Sequence, residues 1–123
     1  YHYAPPADYI EVRNHAFVAS VLDSLGVGHV EGRTWTTDAF YRETDVLCRK
    51  RRAEGCIAVE MEVSAVQAVA DFYGFEFYNF LYRADNLDAE SWESSYLAKM
   101  PHDERLSHFY VALEIARRAA QEN

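Results

Sequence analysis

The stretch Cys56-Ile57-Ala58-Val59-Glu60-Met61-Glu62-Val63-Ser64-Ala65 decides how this chain is read. An apolar run with β-branched residues gives way, at Glu60 to Glu62, to a run spaced like a helix. Val66, Val69, Ala70 and Tyr73 continue the helical spacing, and Gly74 is placed to end it. A short buried strand over Cys56 to Val59 that feeds a helix belongs to a parallel β–α layer. Two carboxylates stand at the junction. Acidic side chains are seldom set between apolar runs without something to bind.

Working outward, Pro5 and Pro6 disfavour helix, so the first eight residues form an extended lead-in. Val18, Val21, Leu22 and Leu25 fall on one helix face, with Gly26 as a C-cap. Val27 to Thr37 is rich in Val, Thr and Trp and is expected to be a strand. A loop from Asp38 to Thr44 follows, and Thr44 or Asp45 caps a helix running to Gly55. Arg49, Lys50, Arg51 and Arg52 on that helix are read as a solvated face. Beyond Gly74, Phe75 to Tyr82 is aromatic-rich and strand-like. Asn86 to Lys99 is polar and irregular, with Trp92 and Tyr96 as local anchors. Leu106, Phe109, Tyr110 and Leu113 form an apolar stripe on a last helix that frays by Asn123.

Helices and strands therefore alternate, which implies an α/β fold with a mixed, largely parallel sheet flanked by helices. No repeat, low-complexity tract or linker interrupts the chain, so residues 1–123 are expected to form one domain. Three strands make a thin sheet for this class, where about 4 to 6 is usual. One face or edge of the sheet is expected to be incomplete.

Half of the 123 residues are hydrophobic and 15% are aromatic, which supplies a core and excludes global disorder. The formal charge of −8 repels phosphate backbones and anionic lipid, so neither nucleic acid nor a membrane surface is an expected partner. A local basic pocket for an anionic small molecule remains compatible with that charge. No basic region followed by an apolar one opens the sequence, and no run reaches the ~18 apolar residues of a membrane span. Cys48 and Cys56 are too few for a disulfide framework and lack zinc-site spacing. A reduced, cytoplasmic setting is the expectation.

In open α/β sheets, ligands collect at the carboxyl ends of strands. Glu60 and Glu62 follow one such end and Asp85 follows another, so three acids point toward one crevice. A carboxylate accepts two hydroxyl donors side by side, which suits a vicinal diol such as that of ribose. Glu62 is also stabilised as an anion by the adjoining helix N-terminus. Met61 offers an adaptable apolar wall. A second reading stands beside this one: Glu60 and Glu62 cap a helix and meet water. Asp85 likewise has two readings, a turn residue or a general acid with a raised pKa; a nearby Arg83 opposes that rise. His2, His15, His29, His102 and His108 show no metal-ligand spacing, and metal ligation is not expected.

These segments resemble the nucleoside phosphorylase family, which includes bacterial purine nucleoside and uridine phosphorylases and related nucleosidases. Val59-Glu60-Met61-Glu62 followed by a small-residue helix resembles that family's ribose-binding signature. Thr37-Asp38-Ala39-Phe40-Tyr41 is similar to its Ser-(Ala/Ser)-Asp-x-Phe-Tyr segment. Ala84-Asp85-Asn86 stands where a Ser-Asp motif ends a strand in purine-specific members. The resemblance covers nearly the whole chain.

The resemblance implies that Glu62 binds the ribose hydroxyls, with Met61 packed on the sugar and Glu60 alongside. Phe40 would stack near the base and Val59 would line its pocket. Asp85 would give a proton or hydrogen bond to N7 of a departing purine. Phosphate is the implied co-substrate, and no cofactor is implied. Arg42-Glu43-Thr44 replaces the Gln and Arg of uridine-specific members, and Ala84 replaces the usual Ser. Family members are longer, and their phosphate-binding glycine loop and arginines precede the point matching Tyr1. The chain thus resembles a carboxyl-terminal half, whose partner is the missing amino-terminal half of the fold. On its own it would have little or no activity. A homo-oligomer, dimer or hexamer, is also implied. A hydrolytic nucleosidase and a non-catalytic nucleoside-binding protein are the alternatives.

Overall fold

The helix after the paired acids forms as its spacing requires, and it places the rest of the site. In the computed structural model, which describes residues 7–83 and 101–122, this helix is one of four. The described residues fall into two compact units, one ending at Asn79 and the other beginning at Phe80. The first holds α1 (His15–Ser24), β1 (Arg33–Thr36), a 3-10 turn (Phe40–Arg42), α2 (Asp45–Ala53), β2 (Cys56–Glu60) and α3 (Val63–Tyr73). The second holds α4 (His102–Glu122).

β1 and β2 pair in parallel, as the alternation of elements implies, with Trp35 opposite Val59 and Thr36 opposite Glu60. The intervening α2 makes this possible, because parallel strands need a crossover too long for a hairpin. Thr44 begins α2 in an extended conformation and its hydroxyl accepts from the Leu47 amide. Asp45 in the first turn and Lys50 to Arg52 in the last both complement the helix dipole. Gly55, at φ +89°, then turns the chain into β2.

α1 buries Val18, Val21 and Leu22 as the periodicity predicts, and Trp35, Ala39, Val63 and Ala70 are the other large or central apolar residues buried in this unit. The Val27 amide donates to the Leu22 carbonyl and the Gly26 amide to Asp23, closing α1 with Gly26 at φ +68°. α3 closes the same way: Phe75 N–H donates to Ala70, with Gly74 at φ +73°. Gly74→Ala forces a Cβ into that left-handed conformation. It is expected to lower unfolding free energy by about 1 kcal/mol in urea denaturation; an unchanged midpoint would contradict this ending of the helix. Gln67 of α3 is buried and satisfied, with its amide on Asp71 and its carbonyl oxygen accepting the Arg13 amide.

Several expectations are corrected. The strand expected over Val27 to Thr37 is confined to Arg33–Thr36, because Cys56 opposes Arg33 and, among the described residues, no strand pairs with the residues before it. Gly32 passes so close to Ile57 that a Cβ there would lie 2.5 Å from its side chain. The loop from Asp38 to Thr44 contains a 3-10 turn. β2 is not a buried strand: Ile57 is 58% exposed, since no described element covers it on that face. No strand forms over Phe75 to Tyr82 among the described residues, so the sheet has two strands rather than three. Side-chain contacts hold the start of this segment instead of a ladder. Asn14 donates to the Phe77 carbonyl, and Phe17 meets the edge of Tyr78 at 5.3 Å. Trp92, Tyr96 and the expected irregular segment around them lie outside the described residues.

In the second unit, α4 buries Ile115 and Ala119. Leu106, Phe109, Tyr110 and Leu113 lie on the opposite side of the helix and are exposed. Glu114 accepts hydrogen bonds from Arg117 and Arg118 within its own helix. Those bonds, from Arg117 first and Arg118 second, hold its carboxyl down to about 2 from a usual 4.5. The pairing therefore supports the helix fully above pH 4.5 and is lost as pH falls toward 2. Circular dichroism of Glu114→Gln should match the parent protein only at the acid end of that window. Identical helicity at neutral pH would show that the pairs contribute nothing.

Candidate functional site

The parallel register brings two sequence-distant segments to one end of the sheet. The ladder extends one step past β1, where the Thr37 amide donates to the Glu60 carbonyl at 2.8 Å. Thr37 is buried, and its hydroxyl donates to the Ala39 carbonyl, which also accepts from the Arg42 amide. These bonds fix the 3-10 turn that carries Phe40 and Tyr41. Val59 and Glu60 end the neighbouring strand, and Met61 and Glu62 lead into α3. Thus the Thr37–Tyr41 and Val59–Glu62 segments leave adjacent strands at their carboxyl ends, the position where open α/β sheets bind ligands.

The two acids behave differently. The Glu60 carboxylate is engaged on both oxygens. Oε2 accepts from the Glu62 amide at 2.7 Å and the Val63 amide at 2.6 Å. Oε1 accepts from the Thr36 hydroxyl. Thr36 in turn accepts from the Ser64 amide at 3.2 Å. Three of the free N–H groups at the start of α3 are therefore satisfied by side chains from the sheet. Glu62 occupies the N-cap position, with φ −132° and ψ −30°, yet its own side chain makes no capping bond and is exposed. Of the two readings left open by sequence, capping applies to Glu60. The carboxylate of Glu62 faces solvent.

Phe40 is 73% exposed and stands edge-on to Tyr41, with ring centroids 5.7 Å apart. Met61 is 44% exposed and Val59 is half-buried. Five of the expected residues, Phe40, Val59, Glu60, Met61 and Glu62, therefore belong to one end of the β1–β2 pair. Asp85 lies outside the described residues.

A separate polar cluster was not legible in the sequence. Arg51 is not part of a solvated face; it turns inward, while Arg49, Lys50 and Arg52 stay exposed. Its guanidinium donates to the Tyr9 hydroxyl at 3.1 Å and to Glu54 at 2.9 Å, and lies over the rings of Tyr9 and Trp35. Tyr9 donates to Glu54 and lies 3.4 Å from the Cys56 sulfur. Bonding to Cys56 first and Glu54 second pushes the Tyr9 hydroxyl up to about 12. The same contacts, that from Tyr9 foremost, lower Glu54 and raise Arg51. A cavity of about 420 Å³ adjoins this cluster, lined by Tyr9, Ile10, Thr34, Thr36, Arg51 and Ser64 among others. Phe40, Val59, Met61 and Glu62 are not among its walls. The cluster ties the lead-in segment to the start of β2, which is a structural task. Tyr9 and Thr36 escaped the sequence reading because neither carries a periodic or motif signal; only the register reveals their partners.

The profile of the phosphorylase superfamily matches residues 3–117. No curated protein and no solved structure matches the chain. The matched span includes both segments at the carboxyl end of the sheet, and with it the observed α/β layer of parallel strands and flanking helices has its place: the chain belongs to the phosphorylase superfamily.

Proposed function

We propose that the chain binds a purine nucleoside at the carboxyl end of the β1–β2 pair and serves in phosphorolysis of its N-glycosidic bond. The activity class is that of a pentosyltransferase acting in nucleoside salvage. One observation carries this reading: two segments that resemble the family's base and ribose signatures meet through the Thr36–Glu60 register, and Glu62 is left exposed with its carboxylate uncommitted to capping.

In this reading Glu62 accepts both ribose hydroxyls, Met61 packs on the sugar, and Val59 and Phe40 border the base. Glu60 stands alongside, its oxygens already engaged. Phosphate oxygen attacks C1′ as the bond from C1′ to the base nitrogen breaks. The electron pair leaves with the base, and Asp85 supplies a proton to N7. Phosphate is a co-substrate, and no cofactor takes part. The reading keeps two further elements: residues 1–123 are the carboxyl-terminal part of a larger domain, and that domain works as a cytoplasmic homo-oligomer.

Calorimetric titration of the chain with inosine and uridine, paired with base release in the presence and absence of phosphate, tests this. Inosine is expected to bind, and to bind more tightly than uridine, without turnover by these residues alone. Rapid phosphorolysis by the isolated chain would refute the division of the domain. Phosphate-independent base release would move the reaction to hydrolysis. Absence of nucleoside binding would refute the nucleoside reading itself.

A further inference from the structure

We propose that Thr36 and Glu60 are positioning residues for Glu62: they set the backbone from which its carboxylate projects, and neither grips the ligand. The proposal rests on the nucleoside reading above for its functional consequence, and on hydrogen-bond geometry for the rest.

An N-cap residue ordinarily uses its own side chain to accept an amide of the first turn. Glu62 holds that position and does not do so. Its task is divided between two neighbours. Glu60 takes the amides of Glu62 and Val63 on a single oxygen, at 2.7 and 2.6 Å. Thr36 takes the amide of Ser64 at 3.2 Å. The Thr36 hydroxyl joins them, donating to the other Glu60 oxygen while it accepts from Ser64. A hydroxyl has one proton to give and two lone pairs, so it performs both tasks at once. The clamp spans both strands at a directly opposed pair of the ladder. It pins residues 62–64 to the sheet through their backbones and leaves the side chain of Glu62 unspent. A ligand-gripping role for Glu60 would require breaking its hydrogen bonds to the Glu62 and Val63 amides and to Thr36.

The substitutions follow from that inventory. Thr36→Val keeps shape and removes the hydroxyl; Thr36→Ser restores it. Glu60→Gln keeps an acceptor for the two amides and gives Thr36 a donor in place of an acceptor. By calorimetry, Thr36→Val is expected to weaken inosine binding about tenfold, a typical cost for losing orientation of a binding group, while Thr36→Ser stays within about twofold. In a Glu62→Ala background, Thr36→Val should cause no further loss, because it acts through Glu62. Additive losses would overturn the proposal, since a general structural defect does not depend on Glu62. A Glu60→Gln loss as large as that of Glu62→Gln would also overturn it, by making Glu60 a ligand contact. Amide exchange of the ligand-free chain gives a readout separate from nucleoside binding. The Ser64 amide, which Thr36 accepts directly, should exchange about tenfold faster in Thr36→Val than in the parent. Equal rates would overturn the clamp even if inosine binds. A parent chain that takes up no inosine, together with the faster exchange in Thr36→Val, would retain the clamp and refute the nucleoside reading alone.

Discussion

Glu62→Ala is expected to lower the affinity for inosine by about a hundredfold while leaving the melting temperature almost unchanged. The two halves of that expectation come from one observation. The Glu62 side chain is exposed and makes no capping bond, so its removal costs the fold little. In the proposed bound state the same carboxylate accepts two ribose hydroxyls. Hydrogen bonds to a charged acceptor are each worth about 1.5–3 kcal/mol, so losing both costs at least about 3 kcal/mol, or two factors of ten. Glu62→Gln, with one acceptor oxygen in place of two, should lose about tenfold. Affinity and stability falling together in Glu62→Ala would show a structural role. Affinity unchanged would remove Glu62 from the site. Asp85→Ala is expected to spare binding and slow base release by about a hundredfold or more wherever turnover is measured, because general acid catalysis contributes 10² to 10⁴.

Trp35→Ala carries the largest expected effect on the fold. Trp35 is the largest buried apolar side chain in the first unit and sits at the centre of the β1–β2 register, opposite Val59. Its ring also lies under the Arg51 guanidinium, 5.8 Å from ring centroid to charge. Truncating a buried tryptophan costs about 3–5 kcal/mol. The ring borders the 420 Å³ cavity on one side, so part of its surface lacks packing partners and the lower end of that range is expected. Domains of this size are stable by only about 5–15 kcal/mol, so a loss near 3 should shift the urea midpoint strongly and remove one of the two rings beneath Arg51. Trp35→Phe should recover most of the loss. A midpoint unchanged in Trp35→Ala would mean that the sheet is not the mechanical centre of this unit.

Local signals were legible where a single residue type controls the backbone. Thr44 began α2, and Gly26 and Gly74 ended α1 and α3, because capping and left-handed geometry depend on few neighbours. The β2-to-α3 junction at Glu60–Glu62 was legible for the same reason. Signals failed where a partner decides the outcome. Phe75 to Tyr82 has strand composition, but a strand exists only when another backbone lies beside it, and none does among the described residues. The periodicity of α4 located a helix but not its buried face, since apolar stripes occur on two sides and Ile115 and Ala119 took the inner one. Arg51 looked like its three basic neighbours until Tyr9 and Glu54 came into reach. Within the site, the residue types at Val59–Glu62 were readable. The difference between Glu60 and Glu62 was not, because it depends on Thr36, distant in sequence and adjacent only through the ladder.

Comparing inosine with 2′,3′-dideoxyinosine in calorimetric titrations of the parent chain tests the ribose assignment most directly. If Glu62 at the carboxyl end of β2 receives the sugar diol, the ribonucleoside binds and the dideoxy compound binds about a hundredfold more weakly, the same loss that Glu62→Ala causes. Equal affinities for the two compounds would contradict a diol-binding carboxylate at this position.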